Sequence, residues 1–146
     1  MVLFAAARQG RKDDAELGNG VWRRAHDRFR RGLDRFHQML EGIEDRDVHA
    51  GVVPTANALA DLLPRVRALC TAAQTRAPSA SMDIPASAGG YLNDVHRELT
   101  RAGNALATAA EAVALVRLNA GPIAAVERRA STVHRHVDEA ERLLDR

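Results

Sequence analysis

Residues 92–120 read LNDVHRELTRAGNALATAAEAVALVRLNA. Leu92, Val95, Leu99, Ala102, Leu106, Ala109, Val113, Val116 and Ala120 recur three and four positions apart, the spacing that lines one face of an α-helix. The stripe holds for four heptads, so the helix needs apolar partners along its whole length. Asn119, Gly121 and Pro122 then supply a stop, and Pro122 suits the first position of a following helix.

Three further segments carry the same pattern. Trp22, Ala25, Phe29, Gly32, Phe36, Met39 and Ile43 form a stripe widened by Leu33 and Leu40, with Asp27, Asp34 and Glu41 on the opposite side. Val52, Ala56, Leu59, Leu63, Val66, Cys70 and Ala73 form a second, thickened by Leu62 and Leu69. Pro54 suits the first turn of that helix, and Pro64 falls in its middle, predicting a kink. Ile123, Val126, Ala130, Val133, Val137, Ala140 and Leu144 form the last, with Arg128, Arg135 and Arg142 outside. The expected fold is all-α: one domain over residues 1–146, an antiparallel up-down-up-down four-helix bundle. Residues 1–18 are expected to be a short N-terminal segment, packed on the body or frayed. The stretch 77–88, APSASMDIPASA, is the one linker-like run between helices, and it either crosses the end of the bundle or is mobile.

Composition bounds the function classes. Of 146 residues 46% are hydrophobic but only 3% aromatic, and 28 are alanine, which argues against β-sandwiches and barrels. No apolar run reaches the roughly 18–20 residues of a membrane span. Twenty Arg and one Lys (Lys12) stand against 19 acidic residues, for a net charge of +2, so the chain as a whole is not the polycation of a dedicated nucleic-acid binder. Arg8, Arg11 and Lys12 follow the apolar start instead of preceding it, unlike a secretory signal. That order and the lone Cys70 suggest a cytoplasmic protein, with signal-less export left open. The Ala-rich amphipathic helices resemble small helical proteins of high-GC bacteria, including type VII secretion substrates, without that family's Trp-x-Gly turn: Arg23 and Arg24 follow Trp22.

Catalytic constellations are scarce. A di-metal bundle centre draws on Glu-x-x-His pairs, and none occurs here; Asp34/His37, His134/Asp138 and His136/Glu139 are the nearest spacings. Cys70 falls on an apolar stripe, where cysteine acts as a small hydrophobe. Gly-x-Gly-x-x-Gly and Gly-x-x-x-x-Gly-Lys loops are absent. No enzyme activity, metal, cofactor or small-molecule substrate is expected. His26 and His96 each sit one place beyond a core position. The run His96-Arg97-Glu98-Leu99-Thr100-Arg101 resembles, over six residues, the phosphoacceptor helix of histidine-kinase dimerisation domains, with Arg97 standing where that family has an acid. The resemblance implies a phosphorelay role for His96.

Two surfaces suggest binding. Between Trp22 and Met39 six Arg face two Asp. Arg24, Arg28, Arg31 and Arg35 follow 4,3,4 spacing and line one flank, suited to nucleic acid or an acidic partner. Arg23–Asp27, Asp27–Arg31 and Arg30–Asp34 are spaced to form ion pairs that would neutralise part of it. Near the end of the third helix Ala107, Ala114, Leu115 and Leu118 lie off the core stripe, so the helix is apolar nearly all round and needs a second partner. The candidates are the segment Val2–Ala7, a second copy of the chain, or another protein. The reading that follows is a small non-catalytic interaction protein, self-associating as a homodimer through these four residues.

Overall fold

The stripes become helices α1 (Val2–Leu17), α2 (Val21–Glu41), α3 (Arg46–Ala60), α4 (Leu62–Arg76), α5 (Tyr91–Arg117) and α6 (Ile123–Leu144), with a 3-10 turn at Ala88–Gly90. The computed structural model describes residues 2–145, which contain no strand. α3 and α4 meet end to end at Asp61, so five helical rods pack together where four were expected. The extra one is α1.

The prolines exchange their expected roles. Pro54 lies inside α3, and Pro64 is the third residue of α4, where a missing N–H leaves no intrahelical bond unmade. Asp45 explains the early start of α3: its carboxylate accepts the N–H groups of Asp47 and Val48 at 2.9 and 3.0 Å, an N-cap strong enough to begin the helix ahead of Pro54.

Packing follows the stripes closely. Trp22, Phe29 and Phe36 of α2, Val52 and Leu59 of α3, Val66 and Cys70 of α4, Leu106 and Val113 of α5, and Val133 and Val137 of α6 are all buried in one core. Ala120 is the exception, exposed beyond the end of α5. α5 and α6 form an antiparallel hairpin, His136 Nδ1 lying 2.7 Å from the Glu98 carboxylate. α2 runs beside α5 in the same direction: Trp22 meets His96, Gly32 meets Leu106, and Gly42 meets Arg117. A Cβ on Gly32 would stand 2.8 Å from a Leu106 methyl, so this glycine sets how closely the two helices approach. α3 and α4 ascend beside α6, with Gly51 at Ile123 and Arg65 2.7 Å from Asp138.

Because α2 lies between α4 and α5, the connecting segment must pass over the start of α2. It is fastened there. Ala77 C=O accepts the Trp22 indole N–H at 3.1 Å, and Ser79 Oγ accepts the Val21 N–H at 3.1 Å. Of the two alternatives for residues 77–88, crossing the bundle end is what the chain does.

α1 packs differently from the rest. Its buried residues are Asp13 and Leu17, and it rests on α4 and α2. Asp13 lies 2.8 Å from Arg67 and accepts from Gln9 at 2.8 Å; Glu16 meets Arg67 at 2.9 Å and Asp14 meets Arg23 at 2.7 Å. Burial pushes the Asp13 carboxyl up, but Gln9, Arg67 and Arg23 outweigh it and hold it below its ordinary value. A depressed carboxyl adds stability above its unfolded pKa, about 3.9, and loses it as pH falls toward the folded value. Lowering the pH from about 6 to about 3 is therefore expected to release α1 before the core opens. Amide exchange of residues 2–17 relative to α5 measures this, and Asp13→Asn should produce the same loosening at neutral pH. An unchanged exchange ratio in both cases would contradict it.

Candidate functional site

The outer face of α5 is left bare. Leu118 is 72% and Leu115 48% exposed, Ala107 is exposed and Ala114 half-buried. Residues 2–7 and Leu115 and Leu118 are all exposed, so of the three candidates Val2–Ala7 is not what covers this face. The helix stops in a tight reversal, Asn119 adopting a left-handed φ of 57° while the Ala120 N–H donates to Leu115 C=O at 2.7 Å. Leu118 is thereby held at the rim of a cavity of ≈420 Å³ with Gly42, Ile43 and Val48. Val2, Leu3 and Phe4 at the start of α1 are 83%, 84% and 72% exposed, a second apolar surface.

The arginine flank is less neutralised than its spacing predicts. Arg23 pairs with Asp27 at 3.0 Å, but Asp27 also takes His26 at 2.9 Å and Arg30 at 3.9 Å. Burial pushes the Asp27 carboxyl up, and His26, Arg23 and Arg30 pull it down further, for a net lowering. The expected Asp27–Arg31 and Arg30–Asp34 pairs do not form. Among the described residues, Arg24, Arg28, Arg31 and Arg35 have no carboxylate within ion-pair distance. Arg24 donates to Ser81 C=O at 3.1 Å, and Arg28 donates to the Asn104 side-chain oxygen. Both acceptors are neutral, so they fix the guanidinium groups without cancelling their charge.

The parallel course of α2 and α5 brings this flank to His96. Arg24, Ala25 and Arg28 on one side and His96, Leu99, Thr100 and Gly103 on the other enclose a cleft of ≈160 Å³. Gly103 has no side chain to hold Arg28 off: the guanidinium carbon lies 3.5 Å from where a Cβ would stand. His96 is half-buried, its ring edge-on to Trp22 with centroids 6.1 Å apart, and burial holds its pKa below the usual imidazole value. A neighbouring hollow of ≈440 Å³ shares His96 and Thr100 and adds Ile84, Asn93 and Arg97. The sequence marks the arginines and His96 as separate features. Thr100 and Gly103 were not singled out, although 96, 100 and 103 share one 4,3 line on α5.

The remaining candidates are structural. His26 is buried with its Nδ1 on Asp27. Burial, with a smaller contribution from Asp27, pushes the Cys70 thiol up to about 12, so it is protonated and sealed in the core. His37 pairs with Leu33 C=O at 2.8 Å. No group of three or more His, Cys, Asp or Glu among the described residues is placed to hold a metal ion. Among them, no helix is long and apolar enough to cross a membrane. The chain matches no family model, no curated protein and no solved structure.

Proposed function

We propose that this chain is a small, non-catalytic helical interaction protein that pairs with a second copy through Ala107, Ala114, Leu115 and Leu118 on the outer face of α5. The observation that carries the reading is the exposure of Leu115 and Leu118 in a chain whose spare helix, α1, lies elsewhere. Alanine at 107 and 114 lets a partner helix come close, and each leucine fully buried contributes about 2 kcal/mol. Four residues fall short of the roughly 800 Å² per partner of a standard interface, so a micromolar or weaker association is expected. Light scattering across a concentration series tests it. The wild-type mass should rise toward that of a dimer, and Leu115→Glu with Leu118→Glu should hold the chain monomeric without lowering its melting temperature. A wild-type mass that stays monomeric at millimolar concentration would overturn the reading.

The open charge of Arg24, Arg28, Arg31 and Arg35 favours a second reading, in which the α2 flank docks an acidic protein or a nucleic acid. Such binding weakens steeply with salt, and the four arginines would contribute comparably. The cavity around His96 is lined by cationic and neutral groups, with no carboxylate beside the imidazole, so the phosphorelay reading gains no support from its surroundings.

A further inference from the structure

We propose that the cleft between α2 and α5 is a binding site for a phosphate monoester, its phosphoryl group held by Arg24, Arg28, His96 and Thr100 and its organic part lying in the adjoining hollow against Ile84 and Asn93. The site does not depend on self-association. It shares Arg24 and Arg28 with the acidic-partner reading, and the experiment below separates the two.

Size comes first. The inner cleft of ≈160 Å³ equals about five waters at ~30 Å³ each. That is room for one phosphoryl group, with the rest of a ligand lying outside the inner cleft. The outer hollow of ≈440 Å³ lies in the range of small-molecule sites, roughly 300–1,000 Å³. The two share His96 and Thr100 in their linings, so a phosphoryl group in the inner cleft lies beside the outer hollow.

Charge and hydrogen bonding agree with that size. Each guanidinium has five N–H donors in a planar fork matched to phosphate. Arg24 spends a donor on Ser81 C=O and Arg28 spends one on the Asn104 amide oxygen; the other donors are uncommitted, and both side chains line the cleft. Thr100 adds a hydroxyl. Of the acids close in sequence to the lining residues, Asp27 pairs with Arg23 and Arg30, Asp94 with Arg97, and Glu98 with Arg101 and His136, while Asp83, next to Ile84, is exposed. Two uncancelled cations at one small cleft favour a dianion, which a monoester becomes above its second pKa of about 6. A diester carries only one charge and offers the two arginines fewer free phosphate oxygens. The donors stand on two packed helices, so little ordering is required on binding.

The experiment is a titration of the full chain followed by amide and imidazole NMR, with inorganic phosphate, phenyl phosphate and dimethyl phosphate as probes. Saturable shifts are expected at residues 93–103 for the first two, with phenyl phosphate binding more tightly than inorganic phosphate because it also fills the outer hollow. If inorganic phosphate alone binds, the organic subsite is wrong and the proposal fails as stated. The charged groups facing His96 are Arg24 and Arg28 across the cleft and Arg97 on its own helix. A bound dianion should therefore raise the His96 titration midpoint. Arg24→Ala and Arg28→Ala should each weaken phenyl phosphate about tenfold or more, whereas Arg31→Ala and Arg35→Ala should change it less than about twofold. All four side chains are on the surface, so folding is checked by an unchanged melting temperature. Equal losses at all four positions, dimethyl phosphate binding as tightly as phenyl phosphate, or no saturable shift at millimolar phenyl phosphate would each overturn the proposal.

Discussion

Trp22→Ala is expected to lower stability by about 4 kcal/mol, in the upper part of the range for removing a buried aromatic side chain. Trp22 is fully buried, and its removal has three consequences at once. The core loses its largest side chain, and the packing around the gap relaxes only partly. Ala77 C=O loses the donor that holds the α4–α5 connection down at 3.1 Å. The edge of His96 loses the ring it packs against. Trp22→Phe keeps most of the apolar area and gives up the indole N–H, so it should fall between, at about 1–2 kcal/mol. Denaturant melts of the two variants check the order, and a loss under about 1.5 kcal/mol for alanine would contradict the account. Since whole domains are stable by only about 5–15 kcal/mol, the alanine variant should lose between about a quarter and most of its stability.

Gly20→Ala is expected to be the next most damaging change, at about 3 kcal/mol, the upper end for overpacking. A Cβ there would stand 2.2 Å from Ser79 Oγ and 2.3–2.4 Å from the Ser79 backbone. The obstacle is a carbonyl, and a backbone carbonyl cannot swing aside as a side-chain tip does. Moving it breaks the bond from Val21 N–H to Ser79 Oγ and the bond from Ser79 N–H to the Gln74 amide oxygen at 3.0 Å. Gly20 has a φ of −110°, so the effect comes from space and not from a left-handed backbone. Gly10→Ala is the control: nothing lies within 4 Å of its Cβ position, and alanine in a helix interior should stabilise by up to about 1 kcal/mol. Thermal melts of both distinguish them by sign. A neutral result at Gly20 would mean that the segment over α2 is held more loosely than its hydrogen bonds indicate.

The residues that build the core were legible in the sequence because burial leaves a periodic trace. The heptad positions of α2, α5 and α6 point inward almost without exception, and the α3–α4 rod follows suit apart from the phase shift at Asp61 that turns Leu62 inward and leaves Leu63 half-buried. α1 left no such trace. Its inward positions are Asp13, Glu16 and Leu17, and a helix fastened by charge has no apolar stripe to read. Pro54 misled for a related reason: the start of α3 was settled by the cap at Asp45, a local hydrogen-bonding event that hydrophobic spacing does not register.

For the site, the parts were visible and their assembly was not. Arg24 and Arg28 follow from 4,3 spacing, and His96 from its place beside Val95. What joins them is the parallel contact of α2 with α5 across some seventy residues of chain, imposed by the connection that passes over the start of α2. Which arginines keep an open charge was equally hidden. Asp27 is within reach of Arg23, Arg30 and Arg31 by spacing alone, and the choice depends on rotamers and on His26 competing for the same carboxylate.

The way α1 is fastened divides the molecule into two seams that answer oppositely to electrolyte. Added salt screens the Asp13, Glu16 and Arg67 contacts over a Debye length of about 10 Å at 0.1 M. A salting-out anion such as sulfate meanwhile strengthens the apolar seams among the other four rods. One solution variable thus loosens the first helix while tightening the body beneath it. The hollow of ≈520 Å³ that Gln9 of α1 shares with His26, Leu63 and Pro64 is therefore expected to open with ionic strength while the core holds.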